Sequence, residues 1–244
     1  MKVIVTGNFE QTCETAANLI SGVIANKPDA RLGLATGSSA GGVYPYLIKA
    51  NKEKKIDFSK VSTINLDEYA GLPPDHTQSY RYFMDTNLFD HVNIDKSNTF
   101  VASGIGDPEK IIGEFRAQLK KAPIDIQLLG IGVDGHIGFN EPGNVLYCDA
   151  HAEELTNSTI EANSRFFNNR DEVPIKAYTM GMGDIMRAKR LVLVATGAQK
   201  AEAVRGLIIG DEVTTRNPST FIKLHPDAVV IIDKELADLV GYKN

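Results

Sequence analysis

The chain has 244 residues, 43% of them hydrophobic, which suits one large α/β domain or at most two small ones. Its formal net charge of -5, with acidic and basic residues interspersed, excludes the basic field that non-specific binding to nucleic acid or to an anionic membrane requires. The sequence contains no signal-peptide core and no run of about 20 apolar residues, so we expect a cytoplasmic protein.

Short apolar runs alternate with longer amphipathic stretches along the chain. The apolar runs predict strands over 2–7, 31–37, 61–69, 124–132, 190–197 and 227–233. The amphipathic stretches predict helices over 9–26, 40–53 (interrupted near Pro45), 78–92, 108–122 and 200–210. This alternation indicates βαβ units and an α/β fold of the Rossmann-like kind, with an open, mainly parallel twisted sheet and helices on both faces.

The sequence shows no internal repeat and no linker, so we predict a single domain over 1–244. The least regular segment is 143–176, which is rich in polar residues and follows a glycine-rich stretch. A long polar insert in such a place is typical of a flap or lid. An ordinary surface helix with a loop explains the pattern equally well.

Ligands of open parallel sheets bind beyond the carboxyl ends of the strands, and three segments that directly follow predicted strands carry polar residues. The first segment begins a helix and contains Thr36, Gly37, Ser38 and Ser39. Its hydroxyl groups, its free backbone N–H groups and the positive end of the helix dipole favour a phosphate. The segment matches neither GxGxxG nor a P-loop, so it predicts no nucleotide, and an ordinary helix cap is the alternative.

The second segment, NLDEYAGL, ends a strand with Asp67 and Glu68. Because side chains alternate along a strand, one carboxylate would face the crevice of the sheet while its neighbour points elsewhere. A carboxylate in a partly dry crevice can act as a general base, since desolvation raises its pKa toward the working pH. A pair of solvated turn residues is the alternative interpretation.

The third segment, GIGVDGHIGFNEPG, places Asp134, His136 and Glu141 among glycines after the most apolar strand of the chain. A histidine oriented by a carboxylate can move a proton between two oxygens at neutral pH. The glycines would let backbone N–H groups approach a substrate and stabilise developing negative charge. A structural histidine and a metal site are the alternatives; the spacing of the three residues matches no zinc or calcium loop, so we predict no metal.

Four segments in collinear order, LDEYAGLPPDHTQSY, GIGVDGHIGFNEPG, ANSRFF and TGAQKAEAV, resemble those of the isomerising glucosamine-6-phosphate deaminases. The resemblance runs from ATGSS to near the C-terminus and so covers most of the chain. It implies an open α/β sheet with helices on both faces. It also implies conversion of glucosamine 6-phosphate and water into fructose 6-phosphate and ammonia, with no metal or organic cofactor.

The resemblance also implies roles for individual residues. Asp67 would be the enolisation base, and His136 would carry the proton during ring opening, with Asp134 and Glu141 as its supports. The residues that the resemblance assigns to the phosphate of the sugar are Thr36, Gly37, Ser38 and Ser39, with Arg165 and Lys200 as positive partners.

The chain departs from one branch of this family over 144–164, a stretch without Arg or Lys. Members activated by N-acetylglucosamine 6-phosphate carry a basic cluster there, which binds the phosphate of the activator at subunit interfaces. We therefore expect no allosteric activation, and a monomer rather than a hexamer. The expected partner is a small amino-sugar phosphate, with no nucleic acid and no membrane.

Two other functions are compatible with parts of the pattern. A 6-phosphogluconolactonase has similar segments, but it typically has DER in place of DEY and DGHTASLFP in place of DGHIGFNEP, so Tyr69 and Glu141 favour deamination. A sugar-phosphate-binding regulator without catalysis would show substitutions at the acid–base positions. None is present at Asp67, Asp134, His136 or Glu141.

Overall fold

Seven parallel strands form the central sheet of the protein, which the computed structural model describes over residues 1–243. The described residues contain these seven strands and three more, which in chain order are β1 (Lys2–Thr6), β2 (Arg31–Leu34), β3 (Ser62–Asn65), β4 (Asp67–Tyr69), β5 (Thr99–Phe100), β6 (Ile126–Leu129), β7 (His151–Glu154), β8 (Lys176–Thr179), β9 (Leu191–Ala195) and β10 (Ala228–Asp233). The α-helices are α1 (Phe9–Asn26), α2 (Gly37–Gly41), α3 (Tyr44–Lys52), α4 (Tyr80–Asn87), α5 (Pro108–Lys121), α6 (Asn157–Ser164), α7 (Met182–Met186), α8 (Ala201–Ile208) and α9 (Lys234–Val240).

The order of the strands in the central sheet is β1-β10-β9-β6-β2-β3-β5. The chain adds strands outward from β2 through β3 to β5, and then crosses to the other side of β2 with β6, β9 and β10. The order therefore reverses between β2 and β6, which is where open α/β sheets bind ligands. Every position of β2, β6, β9 and β10 is buried, so both faces of the sheet are covered. The predicted fold class is confirmed.

The prediction of one strand over 61–69 was wrong. β3 ends at Asn65, and after Leu66 the chain enters β4, which leaves the central sheet and pairs antiparallel with β8. β8 pairs in turn with β7, so that β4, β8 and β7 form a second, antiparallel sheet. The sequence did not predict this sheet, because its strands are short. In addition, β4 is more than 80 residues away along the chain from the other strands of the sheet.

The prediction of a helix over 40–53 interrupted near Pro45 was wrong in the place of the break, which falls before Pro45 and separates the helices α2 and α3. The break falls at Gly42 and Val43, and Pro45 lies in the first turn of α3. Proline fits there because the first turn of a helix needs no backbone N–H donor. Pro45 therefore begins a helix instead of interrupting one. Among residues 1–243, no helix is long and apolar enough to cross a membrane.

Asp125 directly precedes β6 at the amino edge of the central sheet. Its carboxylate connects β6 with the start of β2 and with residues next to α1 and β9. Its carboxylate accepts hydrogen bonds from Lys27 Nζ at 2.6 Å, from the backbone N–H of Arg31 at 2.8 Å and from Lys189 Nζ at 2.8 Å. Burial by itself would raise the pKa of Asp125, but the hydrogen bonds from Lys189 and Lys27 outweigh it and hold the pKa below its usual value. The charged form of Asp125 therefore stabilises the folded protein.

We expect Asp125→Asn to lower the free energy of unfolding by about 2 kcal/mol near neutral pH, because it leaves charge-assisted hydrogen bonds unmade. A carboxyl whose pKa is lower in the folded protein contributes stability above its unfolded pKa of about 3.9, and this contribution is lost as the pH falls further. Urea denaturation at about pH 7 and about pH 3 measures both parts. Asp238→Asn, in the exposed pair with Lys234, is the matched control, and equal midpoints for wild type and Asp125→Asn at neutral pH would contradict the prediction.

Candidate active site

A cavity of about 530 Å³ lies at the carboxyl edge of the central sheet, beside the reversal in strand order. The segments that directly follow β2, β3, β6 and β9 contribute to its wall. The wall is completed by residues at the beginning of α4 and by residues in and after α6. All three segments that the sequence predicts at strand ends therefore lie around one cavity.

All six residues that were assigned to a phosphate line this cavity. They are Thr36, Gly37, Ser38, Ser39, Arg165 and Lys200. Lys200 donates a hydrogen bond from Nζ to the carbonyl oxygen of Ile131 at 2.6 Å. Burial and, to a smaller extent, the charge of the Arg165 guanidinium together lower the pKa of Lys200 to about 8. An anion bound between these two cations would oppose both the desolvation of Lys200 and its repulsion by Arg165, and would thereby raise the pKa of Lys200 again.

Asp67 lines the cavity from β4 and is only 6% exposed. Its Oδ1 atom is buried and makes no hydrogen bond to any residue in the described part of the chain. The pKa of Asp67 is raised to about 8, chiefly by burial and further by the charge of Glu68, with His136 opposing the rise. A buried carboxyl without hydrogen-bond donors becomes a strong base once it ionises, because no partner stabilises its charge.

His136 lines the cavity from the loop after β6, and its Nδ1 atom faces two carboxylates. Nδ1 lies 2.8 Å from Oδ1 of Asp134 and 3.7 Å from Oε2 of Glu141. Burial acts to lower the pKa of His136, but the two carboxylates outweigh it and the pKa rises above its usual value. Two carboxylates next to Nδ1 favour the neutral tautomer that carries its proton on Nδ1, and this tautomer leaves Nε2 to take a proton from a substrate.

The pKa values of the two carboxylates next to His136 shift in opposite directions. Burial raises the pKa of Glu141, and His136 only partly offsets the rise. For Asp134 burial acts in the same direction, but the contact with His136 outweighs it and the pKa falls. Asp134 is therefore the permanent negative partner of the imidazole, while Glu141 is poised closer to neutral pH.

Two glycines of the loop are required by close packing and by backbone conformation. A Cβ atom on Gly132 would lie 2.3 Å from the imidazole ring of His136, so only glycine leaves room for that ring. Gly138 has a φ of +59°, and a Cβ there would lie 2.9 Å from Oγ1 of Thr179 and 3.5 Å from Oδ2 of Asp67. The composition of the loop therefore reflects the seating of the catalytic candidates, in addition to any approach of a substrate.

The segment 143–176 contains β7, α6 and a short 3-10 helix at Arg170–Glu172. Part of it packs on a small hydrophobic cluster that is separate from the main core and includes Tyr69 and Phe139. Asn163 of α6 donates a hydrogen bond to the hydroxyl of Tyr69 at 2.8 Å, and Thr156 donates one to Glu141 Oε2 at 3.3 Å. The segment therefore contacts the site through two side-chain hydrogen bonds.

Asp134, His136 and Glu141 each offer one atom that could ligate a metal, and these atoms lie within 4.8 Å of one another. The separation of 2.8 Å between Asp134 Oδ1 and His136 Nδ1 is a hydrogen-bond distance. Two ligands of a tetrahedral zinc ion are separated by about 3.3 Å, so metal binding would require the pair to open. The arrangement fits proton transfer better than it fits a metal centre.

Three residues that bear on the site were not predicted as site residues. Glu68 is buried behind Asp67, Thr179 accepts a hydrogen bond from the backbone N–H of Phe139 at 3.1 Å, and Asn163 contacts Tyr69. The alternation of side chains along β4 could have suggested a buried Glu68. No local signal identifies Thr179, because its place opposite Asp67 depends on the antiparallel pairing of β4 with β8.

A family model identifies the class of proteins to which this fold and cavity belong. Residues 8–231 match the family of glucosamine-6-phosphate isomerases and 6-phosphogluconolactonases. The chain belongs to this family.

Individual relatives place the chain more narrowly. A glucosamine-6-phosphate deaminase of Thermoanaerobacter pseudethanolicus is 50% identical over 98% of this chain and 95% of its own length. The enzyme of the same name from Clostridium beijerinckii is 49% identical over 98% of this chain and 100% of its own length. The structure of a monomeric glucosamine-6-phosphate deaminase, at 40% identity, superposes with a TM-score of 0.95 over 98% of this chain and 100% of that one. Within the family, the chain belongs with the glucosamine-6-phosphate deaminases.

The lactonases of the family share the fold at much lower sequence identity. The 6-phosphogluconolactonase of Thermotoga maritima superposes with a TM-score of 0.75 over 96% of this chain and 99% of its own, at 18% identity. This likeness concerns the fold alone.

Proposed function

We propose that the protein is an isomerising glucosamine-6-phosphate deaminase in which Asp67 is the base at C2 and His136 opens the sugar ring. The observation that carries the proposal is the convergence of a buried carboxyl and a carboxylate-supported imidazole on one cavity lined by phosphate-binding candidates. Two acid–base groups in one cavity suit a reaction with two separate proton transfers.

The phosphate of the substrate binds between the start of α2 and the two cations. Ser38 and Ser39 offer hydroxyl groups and backbone N–H groups at a positive helix end. Arg165 can contact two phosphate oxygens through its planar guanidinium, whereas Lys200 acts as a point charge. The phosphate thereby fixes the sugar with its other end toward Asp67 and His136.

The first chemical step opens the ring of the sugar. Nε2 of His136 takes the proton from the C1 hydroxyl and returns one to the ring oxygen, so that the C1–O5 bond breaks and an aldehyde forms at C1. The imidazole begins and ends the step neutral, and Asp134 stabilises the imidazolium that forms in between.

The second step moves a proton from C2 to C1. The Asp67 carboxylate removes the C2 proton while the C1 oxygen takes up a proton from solvent, which yields an enolamine; that solvent proton is released again when water adds to C2 and ammonia leaves. Asp67 then returns its proton to C1, and the electron pair of the nitrogen forms a C2=N bond. Water adds to C2 and ammonia leaves, so that glucosamine 6-phosphate and water become fructose 6-phosphate and ammonia.

The lactonase alternative is less well supported by the site. Hydrolysis of a lactone needs an activated water but no base at C2. The buried Asp67, whose pKa is raised to about 8, lines the same cavity as His136 and has no role in that reaction. A regulator without catalysis would equally leave Asp67 and the His136 group unexplained.

Ammonia release from glucosamine 6-phosphate by the purified protein tests the proposal, with a chelator present and no metal added. We expect ammonia and fructose 6-phosphate in equal amounts. Folded protein that releases no ammonia but hydrolyses 6-phosphogluconolactone would establish the alternative. Activity that requires an added metal would refute the metal-free mechanism.

We expect Arg165→Ala to raise KM for glucosamine 6-phosphate by about 30-fold with a smaller effect on kcat, because it removes charge-assisted hydrogen bonds to the phosphate. Arg165 is exposed and lines the cavity, so the change leaves no buried group unpaired. Steady-state kinetics measure both constants. Arg190→Ala, which removes a cation that pairs with Asp227 away from the cavity, is the control. An unchanged KM for Arg165→Ala would show that the phosphate binds elsewhere.

The proposed lid is the segment 143–176, and the proposed assembly is a monomer. The lid is supported by the cavity-lining residues of α6 and by the separate small core beneath it. The monomer is supported by the absence of Arg and Lys over 144–164 and by the monomeric relative. Sedimentation gives the mass, and saturation curves with and without N-acetylglucosamine 6-phosphate test regulation; a left shift on adding it would contradict the proposal.

A further inference from the structure

Glu68 is a buried carboxyl that the mechanism above does not use. It is 1% exposed and does not line the cavity, although its neighbours Asp67 and Tyr69 on the same strand do. Because side chains alternate along β4, the two acids lie on opposite sides of the strand. Glu68 therefore cannot touch the substrate, and any effect it has must pass through its neighbours.

The contacts of Glu68 are all backbone N–H donors. Oε1 accepts from Tyr69 at 2.8 Å and from Tyr80 at 2.9 Å, and Oε2 accepts from Arg81 at 3.0 Å. Tyr80 and Arg81 are the first two residues of α4, whose N–H groups have no partner within the helix. A negative charge is also stabilised at a helix N-terminus. The carboxylate form of Glu68 thus satisfies three donors.

These hydrogen bonds connect the strand of the base with another part of the cavity wall. α4 and the residues just before it contribute Gln78, Ser79, Tyr80 and Phe83 to the lining. Glu68 joins the start of this helix to β4 at the position next to Asp67. A shift of either element would therefore move Asp67 relative to the cavity.

The negative charge of Glu68 also acts on Asp67 and opposes its ionisation. In the described part of the chain, Glu68 has no ion pair with a cation that would neutralise this charge. The titratable groups in range of Asp67 are Glu68 on its own strand, His136 on the loop after β6, and the hydroxyls of Tyr44, Tyr69 and Tyr80. The tyrosines stay neutral, because burial raises their pKa values. The side chain of Arg81 is turned toward Asp85 and Thr99 and pairs there.

We propose that Glu68 is a positioning residue that ties the strand of the base to the first turn of α4, and that its charge sets the pH at which Asp67 becomes active. The proposal rests on the proposed function only for the role of Asp67 as the base. Burial raises the pKa of Glu68 to about 7, against the effect of its three donors, and that of Asp67 to about 8. Three N–H donors stabilise the Glu68 carboxylate, whereas Asp67 Oδ1 has none, so we expect Glu68 to ionise first and Asp67 to ionise against its charge.

Two variants separate the effect of the charge of Glu68 from the effect of the length of its side chain. Glu68→Gln keeps the length of the side chain but removes the charge. Glu68→Asp keeps the charge but is shorter, so it cannot meet all three donors. Glu109→Gln is the matched control, because Glu109 is an exposed acid in the first turn of α5.

The first measurement is the titration of the Asp67 carboxyl by carbon NMR, with the signal assigned by its loss in Asp67→Asn. We expect Glu68→Gln to lower the titration midpoint of Asp67 by about one pH unit, because a like charge is removed. Glu68→Asp should leave the midpoint close to that of the wild type. Since this measurement needs no turnover, it remains informative if the protein proves not to be a deaminase.

The second measurement is the pH profile of kcat/KM. The acid limb should move to lower pH in Glu68→Gln by the same amount as the NMR midpoint, whereas Glu68→Asp should lower kcat at all pH values without moving the limb. A purely structural Glu68 would lower the rate without shifting either the limb or the midpoint. An unchanged or raised midpoint in Glu68→Gln overturns the proposal; if that variant does not fold, a midpoint lowered in Glu68→Asp overturns it.

Discussion

Asp67→Asn is expected to lower kcat for deamination by about 10³-fold and to abolish exchange of the C2 proton with solvent. General-base catalysis contributes about 10² to 10⁴ in rate, and the asparagine amide cannot accept a proton at neutral pH. The binding of glucosamine 6-phosphate should be nearly unchanged, because the phosphate-binding candidates lie on other segments of the cavity.

Proton NMR in deuterated water follows the loss of the C2 proton signal directly, and calorimetry follows binding. Asp75→Asn, at an exposed position of the loop after β4, is the control and should exchange the C2 proton at the wild-type rate. Near-normal turnover by Asp67→Asn would show that another group removes the C2 proton.

The stability of the same variant separates a catalytic loss from a folding defect. The pKa of Asp67 is about 8 in the folded protein and about 3.9 in the unfolded chain, so folding favours the protonated form. The folded wild-type protein therefore loses stability as the pH rises through this window. Asp67→Asn lacks that penalty, and we expect its advantage in Tm over the wild type to grow as the pH rises toward 8.

His136→Gln is expected to lower kcat/KM for the cyclic substrate by about 10²-fold, since it removes the group that moves the proton from the C1 hydroxyl to the ring oxygen. An open-chain analogue that needs no ring opening should lose much less. Steady-state kinetics with the two substrates give the ratio. His91→Gln, at an exposed histidine away from the cavity, is the control. Equal losses on both substrates would show that His136 acts in a later step.

The pH dependence of ring opening follows from the environment of His136. In the proposed mechanism its neutral form is the base, and Asp134 and Glu141 raise its pKa above the usual value in spite of burial. Activity should therefore fall as the pH drops through this raised pKa. Asp134→Asn removes the nearer carboxylate, so we expect the pKa of His136 to fall and the midpoint of its NMR titration to move to lower pH. A midpoint that does not move would mean that Glu141 alone sets the pKa.

Much of the site could be predicted from the sequence, because it is built from short, contiguous segments. Thr36 to Ser39, Asp67, and the group of Asp134, His136 and Glu141 each follow an apolar run that forms a strand of the central sheet or leads out of one. Parallel strands bring their carboxyl ends to one edge, so local patterns were sufficient to place these residues near one another. Arg165 and Lys200 came from the resemblance alone, and both line the cavity.

Only the tertiary structure decided how the base is held. The antiparallel pairing of β4 with β8 brings Thr179 opposite Asp67, and the first turn of α4 supplies two of the three donors to Glu68. These contacts join residues that lie 12 to more than 100 positions apart along the chain. The hydrophobic periodicity of the sequence does not predict which distant residues pair.

The sequence by itself predicted the fold class and the candidate acid–base residues, because hydrophobic periodicity and residue chemistry are local properties. Burial and charge–charge distances are not local. They raise the pKa values of Asp67 and Glu68, because distant segments exclude water from both side chains. For this reason the sequence left solvated turn residues as an alternative interpretation of Asp67 and Glu68. Both side chains are buried in the folded protein, so the alternative is wrong.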